Sequence, residues 1–510
     1  MIALAAAPLA FGYLHQTQDR EFIGVTFNTG DFSQYMAWIE QSRRGLWLFD
    51  DAYTLEHHQP VFLHPFLLLL GKAAALTGLP GIAYYHLAHL LGAVLLLWAC
   101  YRFIAHVFDD LLARRLAFVI VTTASGLSWL QWLEASLGVK FHFLFSATFR
   151  AASSTFWSLY LYPLFSLSIA LLLLCVLAFQ RFLATRCLRH ALVAGLLLLL
   201  LATLHAYDLV IVLAVLLGQV LLLMAYRRRI EWRWMIGYGV TAACALPYLS
   251  YVALVLLRDP VFSEMGKTEI HLPSLGEFIG MYGLLLPLAA VQVPRLLRDR
   301  SPRAALLLVW LVAIPLLTYV PLGLANVPAR LIEGYHVVLA VLSAATLYPL
   351  AAGGTRLGRG CVAGVLLLLT LGNAWVLTRD VETLSRHPFP HYLQKEVVSA
   401  LDWLSEREDA SAVLASYPMA SLVPARTQHR VYVGHLYLTL DLGEKLEMLK
   451  RFFQVDTSDS ARERFMRSHR IRYLIHSPLE VRVGGYRPEN SQFLQLVFRR
   501  GPIRIFELRR

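Results

Sequence analysis

Residues 189–226 read RHALVAGLLLLLLATLHAYDLVIVLAVLLGQVLLLMAY. Two apolar runs flank the polar break His205-Ala-Tyr-Asp208, and no charge follows Asp208 until the arginines at 227–229. Roughly 20 apolar residues in a helix cross about 30 Å of hydrocarbon. The stretch therefore reads as two membrane spans, 189–204 and 206–226, although the break also lets the runs be divided differently.

The same pattern extends along the chain. Hydrophobic residues fill 57% of 510 positions, charged residues only 16%, and mean hydropathy is +0.55. A soluble protein carries about 25% charge. Further apolar blocks lie near 1–14, 82–108, 115–133, 156–181, 233–257, 277–294, 303–321, 330–351 and 357–378. With the opening pair they predict a polytopic α-helical membrane protein of about 11 transmembrane helices. Met1–Leu14 is the odd one. It would span only about 20 Å as a helix, too short to cross unaided, which suggests further sequence upstream. It also lacks the basic start and small-residue cleavage site of a signal peptide.

Short arginine-bearing loops set the orientation. Arg114 and Arg115, Arg186 and Arg189, Arg227–Arg229 with Arg233, Arg295 to Arg303, and Arg356 with Arg359 fall between alternate spans. That side reads as cytoplasmic, and 15–60, 134–155, 258–276, 322–329 and everything after Arg379 as outside. The net charge of +12 is then largely topological, and no nucleic-acid-binding motif accompanies it. The five cysteines lie in or beside apolar spans, where they read as small buried residues rather than disulfide partners.

After Arg379 the composition becomes that of a soluble domain. The chain divides into a transmembrane part, 1–379, whose first outer loop 15–81 carries interfacial helices, and an extracytoplasmic α/β domain, 380–510. Short strands are predicted at 412–415, 431–433, 472–475, 494–498 and 503–508, with helices near 393–406, 441–454 and 459–468. No Gly-rich phosphate loop or Gly-x-Ser-x-Gly elbow is present, so the tail is expected to shape or cover the outer face rather than do chemistry.

The first outer loop, 28–60, gathers Asp31, Asp50, Asp51, Glu56, His57 and His58. Asp31-Phe-Ser-Gln34 fits a capping box, with Asp31 as N-cap of a helix running through Ser42, and a cap can also serve as a base. The rest of the cluster reads as a solvated loop or a substrate contact. Adjacent histidines do not share a helix face, and three-ligand spacing for a metal is absent. After Pro60 an apolar helix, broken by Pro65 and carrying Lys72, is expected to lie at the outer interface. Ionisable groups near outer span ends are Glu134, Arg150, His205 with Asp208, and Arg330 with Glu333 and His336. Arg330 and Glu333 are either an intrahelical i,i+3 pair, or a site where the guanidinium meets a lipid phosphate.

Three segments carry a family resemblance: Gly30-Asp31-Phe-Ser-Gln-Tyr35 with the His58-Gln-Pro60 turn, Pro328-Ala-Arg-Leu-Ile-Glu-Gly334, and the tail ALDWLSE…VYVGH…KLEMLKRFF…IRYLIHS. Together with the architecture they resemble the GT-C glycosyltransferases, nearest to the protein O-mannosyltransferase and aminoarabinose-transferase group and its bacterial cousins. The resemblance implies a bacterial cytoplasmic-membrane enzyme that moves a sugar from a polyprenyl-phosphate donor to a hydroxyl acceptor, a glycan, lipid or protein, with inversion. It makes Asp31 the general base and gives the leaving phosphate to Arg330 and Arg150; His57, His58, Asp51 and Glu333 are further candidates for substrate contact. No cofactor is expected, a divalent cation being the lesser alternative. Many relatives show a paired acidic motif where this chain has Asp31-Phe32. The Trp-Trp-Asp-Tyr-Gly motif of oligosaccharyltransferases is absent, which argues against Asn-linked oligosaccharide transfer. The alternatives are a transporter or flippase for a lipid-linked or polar substrate, and a scaffold with an exported tail. A transporter often shows internal repeats, and none is found here.

Overall fold

The computed structural model describes residues 1–138, 153–267, 271–320, 328–407 and 409–509. The chain divides into two compact units: Met1–Ala7, His86–Val252 and Glu269–Asp380; and Pro8–Tyr85, Ala253–Thr268 and Val381–Arg510.

The first unit is helical. Six helices are long and apolar enough to cross a membrane, in whole or part within this unit: Gly81–Val107, Pro163–Thr185, Asp208–Arg227, Pro302–Tyr319, Tyr335–Ala352 and Arg356–Ser385. Two bent pairs, Trp232–Ala243 with Leu246–Arg258 (46°) and Leu275–Tyr282 with Leu285–Arg298 (84°), raise the total to eight among the described residues. Ile2–Leu14 and Leu188–Leu204 are shorter apolar helices.

Three of the eleven expected blocks fall outside these eight: 1–14 and 189–204 form shorter helices, and 115–133 is broken. The block at 115–133 is two helices, Leu111–Thr123 and Leu130–Leu137. Between them Gly126 adopts φ +66°, and a Cβ there would stand 2.3 Å from the Met281 carbonyl oxygen. Leu127 N–H donates to the Gly280 carbonyl across 2.8 Å, and the Ser125 N–H and hydroxyl both donate to the Leu369 carbonyl at 2.9 and 2.7 Å. The chain turns here because a glycine backbone packs directly on the kinked 275–298 segment. The block at 156–181 also starts late. A short helix, Thr155–Tyr160, capped by the Ser154 side chain, ends before the long helix opens at Pro163. Tyr162 is extended (φ −140°, ψ 150°), as a residue preceding proline must be.

Interior polar groups are matched between helices, which costs less than leaving them in hydrocarbon. Gln180 and Gln219 exchange amide hydrogen bonds of 2.8 and 2.9 Å, and Gln219 also donates to the Pro302 carbonyl. Thr241 Oγ1 donates to the Ala191 carbonyl (3.0 Å), beside Gly195, whose missing side chain lets Cys244 approach.

The second unit is built on a five-stranded sheet of order β4-β3-β5-β7-β6. Its strands are β3 (Ala412–Leu414), β4 (Arg430–Val431), β5 (Ile471–His476), β6 (Leu494–Arg500) and β7 (Ile503–Leu508). β3 runs parallel to β4 and β5, while β7 is antiparallel to β5 and β6. Leu414, Phe452, Phe453, Met466 and Leu474 lie in the core under the sheet. A separate antiparallel pair joins β1 (Arg20–Phe22) to β2 (Tyr392–Gln394), so the beginning of the first loop is zipped to the beginning of the tail.

The first loop continues along this unit rather than in solvent. Val431 N–H donates to the Ala52 carbonyl (2.9 Å), Thr439 Oγ1 to the Tyr53 carbonyl (2.9 Å), and the Tyr53 hydroxyl to the Ser421 carbonyl (3.2 Å). Asp51, Ala52, Tyr53 and Thr54 are all buried. The loop's helix, Thr29–Arg43, packs on Pro65–Thr77 at Gly71, where a Cβ would meet the Ile39 carbonyl oxygen at 2.4 Å. Pro65 does not break that second helix but opens it, with His64 as N-cap. Lys72 on it lies 4.4 Å from the centre of the Trp47 ring.

Gly126→Ala is expected to lower stability by about 2–4 kcal/mol, because both its φ and its space exclude a side chain. Gly239→Ala, in the helix Trp232–Ala243 with nothing within 4 Å of its Cβ position, should be neutral or stabilising. Thermal melting of the two variants in detergent separates these outcomes.

Candidate functional site

Asp31 is not the N-cap that the sequence leads one to expect, but stands three positions after it. The helix begins at Thr29 with Asn28 as N-cap, so Asp31 occupies the third helical position. Asn28 Oδ1 accepts from the Asp31 N–H (3.3 Å), and the Asn28 side-chain amide donates back to Asp31 Oδ2 (2.7 Å). This reciprocal pair engages Oδ2 and fixes the carboxylate at a helix N-terminus, where the dipole favours its anion.

Oδ1 faces the tail. His435 Nε2 lies 3.6 Å from Asp31 Oδ1, with the His435 side chain 2% exposed and that of Asp31 26% exposed. His435 Nδ1 accepts the Tyr437 N–H (3.2 Å), which in neutral imidazole leaves the proton on Nε2, pointing at Asp31. The ring is held on both sides. Thr439 Oγ1 accepts the N–H groups of Gly434 and His435, and Tyr53 lies against the imidazole at 5.4 Å. Tyr417 is close enough that the Asp31 charge raises its hydroxyl pKa, second to burial. The tail therefore brings an imidazole to the candidate base. His435 was visible only as part of the VYVGH segment, since nothing in local spacing ties it to a residue 404 positions earlier.

The other loop residues separate. Asp50 pairs with Arg430 at 2.6 Å, and Glu56 pairs with buried Lys445 at 2.7 Å. His58 is 5% exposed and structural in its contacts: Nδ1 donates to the Glu56 carbonyl (2.9 Å), and Nε2 accepts the Asp51 N–H (3.0 Å). When protonated, the same Nε2 can instead donate to Asp50 Oδ1 at 3.1 Å. Burial opposes that charge most strongly, but the bonds to Asp50 and the Glu56 carbonyl and the charges of Asp50 and Asp51 together outweigh it, and the His58 pKa is raised. Asp51 is fully buried and accepts the Tyr53 N–H at 2.8 Å. His57 is exposed beside Gln59. The expected solvated loop is thus replaced by a segment pinned to β4 and its neighbours.

In the helical unit Arg330 and Glu333 do not form the i,i+3 pair that an unbroken helix would give. Arg330 ends a 3-10 turn, Pro328–Arg330, and the helix starts only at Tyr335, after Gly334 at φ +76°. Arg330 is exposed, its guanidinium 5.1 Å from the centre of the Tyr207 ring, with no carboxylate partner among the described residues. Glu333 points the other way, fully buried, accepting from Ser168 Oγ and lying 3.2 Å from His205 Nδ1. His205 also approaches Asp208 Oδ2 at 3.5 Å, and Thr155 Oγ1 contacts His336 Nε2 at 3.0 Å. Arg150 lies outside the described residues.

Burial lifts the Asp51 carboxyl to about 7, with the Tyr53 N–H, His58 and Arg430 pulling it down and Asp50 pushing it up. A carboxyl raised in the folded state stabilises the fold when protonated. That contribution is complete below about pH 4 and is lost as pH rises to about 7. Asp51→Asn, which cannot ionise, should therefore gain on the native protein in melting temperature between pH 4 and 8. A difference that stays constant over that range would show that Asp51 is not buried as described.

No protein family matches the chain, and no curated protein matches it. Solved structures do. The apo oligosaccharyltransferase of Archaeoglobus fulgidus aligns over 93% of this chain and 69% of its own, at 14% identity and TM-score 0.54. The same organism's oligosaccharyltransferase AglB, in complex with an inhibitory peptide and a dolichol-phosphate, aligns over 93% and 69% at 14% identity and TM-score 0.53. ArnT from Cupriavidus metallidurans, in the apo state, aligns over 99% and 97% at 13% identity, with a TM-score of 0.48 that carries no weight here. At such identities the likeness is one of fold alone: the chain has a fold similar to that of the Archaeoglobus fulgidus oligosaccharyltransferase.

Proposed function

We propose that this chain is a membrane glycosyltransferase that moves a sugar from a polyprenyl-phosphate-linked donor to a hydroxyl acceptor on the outer face of the membrane. The observation that supports this most is Asp31, a partly exposed carboxylate held by Asn28 and His435 in a chain that shares 93% of its length with an oligosaccharyltransferase fold. AglB is itself matched in a complex with dolichol-phosphate, which favours a lipid phosphate as the donor class. The acceptor is a glycan, lipid or protein hydroxyl. The membrane is a bacterial cytoplasmic membrane, with the 380–510 segment outside.

In the reaction, the acceptor oxygen attacks the anomeric carbon while Asp31 takes its proton. The bond from that carbon to the phosphate oxygen breaks on the opposite side, its electron pair leaving with the lipid phosphate, so configuration inverts. A base must come within about 3 Å of the acceptor hydroxyl, and a correctly placed one contributes typically 10²–10⁴-fold. The Nε2 of His435 faces the remaining carboxylate oxygen across 3.6 Å. Arg330, exposed and without a carboxylate partner among the described residues, has its guanidinium available to a phosphate, whose developing charge it would stabilise. The step as written uses no cofactor.

Purified protein in proteoliposomes, supplied with polyprenyl-phosphate sugars, should consume donor and release polyprenyl phosphate. Asp31→Asn should lower turnover by about 10²–10⁴-fold at unchanged melting temperature. Arg330→Ala should raise the apparent KM for donor by roughly tenfold, the loss of about 1.4 kcal/mol from a charged hydrogen bond. Turnover retained in Asp31→Asn would remove the base assignment, and an unchanged donor KM in Arg330→Ala would remove the phosphate role.

A further inference from the structure

Glu333, Asp208 and His205 form a cluster that the proposed reaction does not use. His205 caps the C-terminus of the helix Leu188–Leu204, and Asp208 opens the helix Asp208–Arg227. The turn between them closes through the Asp208 N–H on the His205 carbonyl (3.1 Å), which brings both side chains to one side. Glu333 arrives from the turn before Tyr335. One ligand atom from each of the three lies within 4.8 Å of the others.

The arrangement converges on one point. His205 Nδ1 sits between Glu333 Oε2 at 3.2 Å and Asp208 Oδ2 at 3.5 Å, so one imidazole nitrogen faces two carboxyl groups. Ser168 serves one oxygen of Glu333. Both Asp208 oxygens are buried without any hydrogen-bond partner, and the Asp208 side chain is 0% exposed. Its place in the first turn of a helix offsets only part of the cost of burying those oxygens without a hydrogen-bond donor.

The donor spacing suits a cation better than a lone proton. At a metal about 2.1 Å from each atom, separations of 3.2 and 3.5 Å subtend roughly 100° and 113°, either side of the tetrahedral angle. We propose that His205 Nδ1, Asp208 and Glu333 bind one divalent transition-metal ion, of the Zn²⁺ or Mn²⁺ class that one imidazole and two carboxylates favour. Access to it is along His205, the one member with measurable side-chain exposure, at 9%. The outward neighbour of His205 is Tyr207, whose ring stacks on the imidazole at 5.0 Å and bears the Arg330 guanidinium on its face. An oxygen ligand completing the ion's coordination would thus enter beside a cation, which selects an anionic group.

The test reads metal rather than turnover, so it stands apart from the glycosyl-transfer assignment. Full-length protein in detergent is stripped with EDTA, dialysed against Zn²⁺ or Mn²⁺, freed of loose ion and measured by plasma mass spectrometry. About one ion per chain is expected, falling at least fivefold in Asp208→Asn and in His205→Gln but not in the exposed control His57→Gln. Mn²⁺-loaded protein should also show ¹⁴N coupling from a single imidazole in pulsed EPR, a readout independent of whether the variants fold. Less than about 0.1 ion per native chain with both metals, undiminished binding in folded Asp208→Asn, or Mn²⁺ without imidazole coupling would each overturn the site.

Discussion

The docking of residues 50–56 against the C-terminal sheet governs the second unit. This short segment donates no strand of its own, yet Ala52 accepts from β4, Tyr53 reaches Ser421 and Thr439, and Asp50 and Glu56 hold Arg430 and Lys445. Burial of Lys445 demands such pairing, since an unmatched charge there would cost more than a surface pair returns. The consequence is chemical. Thr439 accepts the His435 N–H and donates to Tyr53, so the contacts that seat the loop also aim His435 at Asp31.

The helical unit follows a related rule. Some polar groups within the bundle are met by a partner on another helix, as Gln180 and Gln219 show, and glycines mark where backbones touch. Asp208 differs from these glutamines in having both carboxyl oxygens buried without a hydrogen bond. Arg330 departs in another sense, being exposed on an aromatic face rather than paired with Glu333 three residues on.

Much of this was legible in the sequence, and what was not has physical causes. Apolar length located the long helices because hydrocarbon thickness constrains composition directly. The tail's strands at 412–414, 471–476, 494–500 and 503–508 fell where alternation and turn residues put them. Breaks such as Ser125-Gly126 escaped, because the backbone contact that requires the glycine comes from Gly280 and Met281, far along the chain. The cap shifted from Asp31 to Asn28 because either residue could serve and only the helix start decides. Composition made 50–58 look solvated, since charge in a loop usually faces water, and the compensating Arg430 and Lys445 lie almost 400 positions away. For the same reason neither the His435–Asp31 approach nor the His205–Asp208–Glu333 cluster could be assembled from local spacing.

Hydrogen–deuterium exchange of the full-length protein in detergent, resolved by mass spectrometry, tests the docking directly. Peptides covering 50–56 should be protected to a similar degree as those covering β5, with opening free energies well above those of frayed loops. Complete exchange of 50–56 within seconds, while β5 stays protected, would contradict the seating of the first loop and with it the orientation of His435 toward Asp31.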